Sequence, residues 1–194
     1  MRRLTVACTA IALVSASSAH AGDYPSMLSG TSASDWTGLY IGVSGGYGWL
    51  RDIDRSFTPP MPDSGQDWIF GAHAGYLHQI GDLVVGGEVE FRRLDITYQT
   101  FNFITVENAY VAKARVGYAI DQFLISGSIG GAYVTTNFMG LQDLGLALGA
   151  GIDYQLTDMV TIGVHYDRYS YTNFSGTMID ATLDQISLRA SVGF

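Results

Sequence analysis

The chain has 194 residues, with 10 Lys or Arg against 18 Asp or Glu, 24 Gly, 4 Pro and a single Cys. That acidic balance leaves no basic footprint for nucleic acid. The length suits one domain, and nothing in the pattern reads as a Rossmann unit or a helical bundle.

Residues 1–21 read as a cleaved signal peptide: basic Met1-Arg2-Arg3, apolar Leu4 to Val14, and the small-x-small site Ala19-His20-Ala21. The apolar run is shorter than the roughly 20 residues a bilayer-spanning helix needs. Cys8 leaves with the signal, and Thr5-Val6-Ala7 before it is a poor lipobox. The exported chain then carries no cysteine, so its stability rests on burial and backbone pairing. It keeps 8 bases against 18 acids, and Lys113 is its single lysine. Residues 22–35, rich in Ser, Thr and Gly, form a flexible periplasmic lead-in.

From Trp36 onward the pattern has period two, the mark of strands with unlike surroundings on their two faces. It is cleanest at the end, where Ile186, Leu188, Ala190, Val192 and Phe194 alternate with Gln185, Ser187, Arg189, Ser191 and Gly193. Eight strands follow, over roughly 37–49, 68–79, 83–93, 109–119, 123–134, 144–155, 160–170 and 183–194, each with room for the ~9–11 residues of a tilted transmembrane strand. Connections near Gly81-Asp82, Asp121-Gln122 and Thr157-Asp158 are short, and the others are long. Short turns on one side and long loops on the other describe an all-β, eight-stranded antiparallel up-and-down transmembrane β-barrel over residues 36–194, both termini on the periplasmic side.

A soluble sandwich also alternates, and three features favour the barrel. Strand ends on the short-turn side carry Tyr76, Tyr118, Tyr154 and Phe194, at intervals of 42, 36 and 40 residues, as an aromatic girdle. Tyr47, Trp49, Phe70, Phe91, Tyr110, Tyr133 and Tyr166 share their outward face nearer the long loops. The opposite face carries charge of both signs, which suits an enclosed lumen.

Parity places Glu88, Glu90, Arg92, Lys113, Arg115, Asp153, His165, Asp167 and Arg189 in that lumen. An eight-stranded barrel is just wide enough to be filled by its own side chains, and breaking a buried ion pair costs about 3–5 kcal/mol. The expected result is a plug of ion pairs, with Gly42, Gly75, Gly117, Gly149 and Gly151 leaving room for long side chains. Tyr40, Leu77, Val84 and Val111 fall on the same inward face, whereas Arg168 falls outward, above the lipid.

Trp36-Thr37-Gly38-Leu39-Tyr40-Ile41-Gly42-Val43 with Gly45-Gly46-Tyr47-Gly48-Trp49 resembles the first strand of small outer-membrane barrels of the OmpA-like, opacity-related superfamily. The likeness is greatest to the alphaproteobacterial group called outer-membrane immunogenic or porin-family proteins. Gly75-Tyr76, Gly87-Glu88, Lys113-Ala114-Arg115-Val116-Gly117-Tyr118 and Gly149-Ala150-Gly151 extend it. Leu77-His78 and His165-Tyr166 depart from the Asn-Trp and Glu-Tyr pairs usual there. The resemblance implies a surface protein of the Gram-negative outer membrane, in contact with its lipid and lipopolysaccharide. It also implies Phe194 as the signal read by the barrel-assembly machinery, and a host or environmental partner for the loops.

Enzyme chemistry is not expected. His165 and Asp167 share a face but Ser170 has the opposite parity, so a triad's mutual hydrogen-bond geometry is missing. His73 and His78 differ in parity and do not converge on a metal, and no cofactor is expected. Arg51, Asp52, Asp54, Arg55, Phe57 and the Pro59-Pro60-Met61-Pro62 run place the first long loop at about 50–67. Tyr98, Phe101 and Phe103 in the second loop (94–108) either pack together over the mouth or bind a partner. The expectation is a plugged structural and surface protein that supports envelope integrity, the alternative being a narrow channel or capture of haem or another small ligand at the loops.

Overall fold

The computed structural model describes residues 35–55, 61–97, 105–136, 142–172, 174–176 and 179–194. The expected signal peptide, most of the expected lead-in, and Phe57, Pro59, Pro60, Tyr98, Phe101 and Phe103 lie outside the described residues.

Eight strands run in chain order: β1 (Gly38–Asp54), β2 (Met61–Ile80), β3 (Leu83–Thr97), β4 (Thr105–Ile120), β5 (Phe123–Thr136), β6 (Gln142–Gln155), β7 (Val160–Tyr171) and β8 (Ile179–Gly193). Each pairs antiparallel with its sequence neighbours, and β1 pairs with β8, so the sheet closes without an edge. Closure satisfies every strand laterally, the condition for backbone in hydrocarbon. At the β1–β8 seam the Phe194 amide donates to the Leu39 carbonyl at 2.8 Å, and on the β7 side the Gly193 amide donates to the Met159 carbonyl at 2.7 Å.

The strands extend past their expected ends, most by several residues toward the loops, and by at most one toward the short turns. The β1–β2 ladder runs from Gly38↔Leu77 up to Asp54↔Met61. Arg51, Asp52 and Asp54 therefore belong to β1, and Met61 and Pro62 to β2, rather than to a loop. Polar composition marks where a strand leaves apolar surroundings, whereas a hairpin ladder keeps its pairing into water. The β3–β4 ladder likewise continues beyond the expected ends, with a register shift between Arg93 and Ile96.

At the other end the chain turns tightly. Gly81-Asp82 joins Ile80 to Leu83, and Asp121-Gln122 joins Ile120 to Phe123. The first turn residue has positive φ in both, +63° at Gly81 and 50° at Asp121. Glycine meets that demand without strain, and Asp is among the few side chains that tolerate it. Two strand-end tyrosines tie down the preceding turn: Tyr118 donates its hydroxyl to Asp82 at 2.8 Å, and Tyr154 to Gln122 at 2.6 Å. The repeat of a Gly-spaced strand closing on tyrosine thus links successive hairpins.

The exterior is apolar around the waist, with Val43, Val89, Ile129 and Leu188 all more than half exposed. Such a surface suits lipid. Tyr76, Tyr118 and Phe194 are exposed at the short-turn end, and Trp68, Phe70 and Tyr110 toward the loops.

Candidate functional site

The interior is built by strand parity. β3 turns Glu88, Glu90 and Arg92 inward at every second position, and β4 does the same with Lys113 and Arg115. Asp153 enters from β6, His165 and Asp167 from β7, and Arg189 from β8. All nine are buried, and Asp167 and Arg92 are only 2% exposed.

These side chains form one connected line in which the sign of charge alternates. Asp153 accepts from Arg115 at 2.8 Å. Arg115 also donates to Glu88 at 3.2 Å and to the Ser126 hydroxyl at 3.0 Å. Glu88 takes both Nη atoms of Arg189, which reaches on to Glu90 at 3.3 Å. Lys113 lies 2.6 Å from Glu90 and donates to Asp167 at 3.0 Å, and Asp167 accepts from Arg92 at 2.9 Å. Arg92 closes back on Glu90 through Nε at 2.6 Å and lies over the Tyr169 ring. Four acids and four bases leave the line neutral, and each charge has an opposite one in reach, which is what burial demands.

The two inward-facing histidines have different neighbours. His165 Nε2 lies 2.9 Å from Asp153, and its Nδ1 faces Arg189 at 3.5 Å. His165 is thus engaged by Asp153 rather than by Asp167, two residues along its own strand. His73 faces inward and meets the Ser191 hydroxyl at 2.8 Å, whereas His78 is exposed on the outer face. Ser170 keeps the outward parity of β7, away from His165.

Glycines make space for this layer. A Cβ at Gly151 would meet the His165 ring, one at Gly149 the Asp167 carboxylate, and one at Gly75 the Tyr40 hydroxyl. Gly42 stands likewise against His73, and Gly117 against Leu124. Tyr40 itself donates to Glu88 at 2.7 Å and accepts from Arg115 at 3.2 Å, joining the polar line.

Apolar layers bracket the charges. Toward the short turns, Trp36, Leu77, Val84, Ala119 and Leu124 cluster beneath Tyr40. Toward the loops, Leu50, Ile69, Leu94, Val111, Leu183 and their neighbours form a second cluster. The inward apolar residues that broke the polar pattern are the floor and ceiling of the ionic layer. A cavity of about 340 Å³ opens at the short-turn end, with Trp36, Tyr40, Arg115, Asp153 and Phe194 among its walls.

Sequence parity does not single out Asp184. It has outward parity on β8, yet it is buried, because Arg168, Tyr166 and Arg51 all donate to it. Its position level with Arg168 and Trp49 across the ladders is the signal that could have found it.

A closed eight-stranded sheet, apolar outside and charged within, defines a β-barrel protein of the bacterial outer membrane. The chain belongs to the outer membrane protein beta-barrel domain family, whose model matches residues 7–194. It is 28% identical over 172 residues to the 25 kDa outer-membrane immunogenic protein of Brucella abortus biovar 1, covering 82% of this chain and 78% of that protein. The protein of the same description from Brucella melitensis biotype 1 matches at the same identity and coverage. Among solved structures, Neisserial surface protein A (NspA) superposes with a TM-score of 0.54 at 14% identity, covering 81% of this chain and 98% of that one. That likeness is one of fold.

Proposed function

We propose that this chain is a structural and surface protein of the outer membrane, not an enzyme, with a barrel plugged by its own side chains. It supports envelope integrity and presents its loops to the outside. The observation that carries the reading is the unbroken line from Asp153 to Arg92, in which eight buried charges neutralise one another across the lumen. Opening a path through it would separate paired charges in a low dielectric, at about 3–5 kcal/mol for each broken pair. The role as a surface antigen follows the name of the Brucella relatives, and lipopolysaccharide is the neighbour that this location supplies.

Planar-bilayer recording on refolded protein tests the plug. The expected result is no stable single-level conductance, and a steady unitary current would replace this reading with a narrow channel. Haem titration of the same protein distinguishes capture at the loops, which a saturable spectral shift would establish. Absence of catalysis is supported by His165 being engaged by Asp153 while Ser170 lies on the other face. Lipid A that is altered by the wild type but not by His165→Ala would overturn that part.

A further inference from the structure

Beyond residue 34 the chain has eight basic side chains, and they sort by face. Arg92, Lys113, Arg115 and Arg189 are buried in the lumen. The other four, Arg51, Arg55, Arg93 and Arg168, all sit toward the loop end, whereas the short turns carry Asp82, Asp121 and Asp158.

Two of these outer arginines converge. Arg51 on β1 and Arg168 on β7 reach across β8 to opposite oxygens of Asp184, Arg168 through Nε at 2.6 Å. The Tyr166 hydroxyl adds a third donor at 2.6 Å. The Asp184 side chain is left 6% exposed, while those of Arg51 and Arg168 remain 66% and 48% exposed. One carboxylate between two guanidinium groups leaves a net positive charge, and a guanidinium carries five N–H donors, so donors remain for a further ligand. Asp52, Asp54 and Asp63 have inward parity toward the barrel mouth, and Asp180 is paired with Arg55.

On the β2 side of Arg51 lies a groove of about 370 Å³, with Trp49, Arg51, Ser64, Gln66 and Asp184 in its walls. Just below, Tyr47 meets Trp49 and Trp68 edge to face at 5.4 and 5.6 Å. Such aromatic clusters mark the height of lipid headgroups. Farther down the same strands, Val43, Ile186 and Leu188 are exposed. The cationic site therefore opens sideways onto the bilayer, with an apolar track beneath it.

We infer that Arg51 and Arg168 form a recognition site for the phosphate of a membrane lipid, whose acyl chains lie along Val43, Ile186 and Leu188. Guanidinium groups bind phosphate through paired N–H donors, stronger and more directional than an ammonium contact. Asp184 fixes the two forks, so little ordering is left to the ligand. The sideways opening selects a lipid over free phosphate. The inference rests on the barrel's seat in the outer membrane and is independent of the plugged lumen, so a conductance result leaves it untouched.

The test uses the refolded full-length barrel in phosphatidylcholine nanodiscs doped with either phosphatidic acid or diacylglycerol, read by the lipids retained in native mass spectrometry. Wild type is expected to retain phosphatidic acid over diacylglycerol by about fivefold or more, and Arg51→Gln/Arg168→Gln to bring that preference within about twofold. Arg93→Gln, on β3 away from the groove, keeps it. If the double variant does not refold, Arg51→Gln alone carries the test, with about a threefold loss expected because its exposed side chain contributes half the site. Equal retention by the variants and wild type, or displacement of the lipid by millimolar inorganic phosphate, overturns the assignment.

Discussion

Arg189 on β8 and Glu88 on β3 stand 101 residues apart in the chain and meet across the lumen, Nη1 donating to Oε1 at 2.9 Å and Nη2 to Oε2. The contact joins opposite walls, so it forms only once the sheet has closed. Arg189→Ala leaves Glu88 with Arg115 and Lys113, and Glu90 with Lys113 and Arg92, but the buried line then holds four acids against three bases. The expected cost is about 3–5 kcal/mol, read as a lowered urea midpoint of the barrel in lipid vesicles. Arg189→Ala combined with Glu88→Gln is expected to cost less than the sum of the two, by roughly 1–3 kcal/mol. Strict additivity would show that the two side chains do not act as a pair.

Space is as specified as charge. The His165 ring lies against Gly151, where a Cβ would meet three of its atoms. Gly151→Val is therefore expected to displace the ring from Asp153 and to destabilise the barrel by about 1–3 kcal/mol. Gly87 faces outward, and a Cβ there meets only the Lys113 carbonyl at 3.9 Å. Gly87→Ala serves as the control and should leave the midpoint close to wild type.

The architecture was legible because two periods coincide. Alternation along each strand separates Leu188 from Arg189, and the spacing of Tyr76, Tyr118, Tyr154 and Phe194 sets the hairpin length. The inward positions of Glu88 through Arg189 need nothing beyond parity. Partners are another matter. That Arg189 pairs with Glu88 rather than Asp153 depends on strand stagger around the closed barrel, which no local pattern encodes. Strand ends failed for a similar reason, since Arg51 and Asp52 read as loop while their ladder to β2 continues. Asp184 was missed because parity alone assigns it to the outer face, and the arginines covering it come from two other strands.

The outer face gives a depth-dependent prediction. Leu188 is 67% exposed and level with Arg189 at the waist, while Leu39, 61% exposed, pairs with Tyr76 near the short turns. Leu188→Arg is expected to cost roughly 2–4 kcal/mol and Leu39→Arg only about 0–1 kcal/mol, since a cation near the interface can reach water. Both follow from urea titration in vesicles. Equal costs at the two sites would mean that this face does not span a bilayer at those depths.

Trp36 lies on the floor of the lumen. The residue is 8% exposed among Leu77, Val84, Ala119 and Leu124, and its backbone amide donates to Gln79 Oε1 at 2.9 Å. The Gln79 amide in turn donates to Thr37 Oγ1 at 3.1 Å, so the start of the barrel is tied to β2 on two sides. Trp49 and Trp68, by contrast, lie on the outer face. In a Trp49→Phe/Trp68→Phe background the remaining emission is therefore expected to resist quenching by brominated lipid, which strongly quenches the wild type. Trp36→Ala should cost about 3–5 kcal/mol through lost burial and the cavity left behind. It should nevertheless leave bilayer recordings silent, because the line of ion pairs from Asp153 to Arg92 stands above it. A conductance appearing on this one substitution would move the barrier from the charges to the indole.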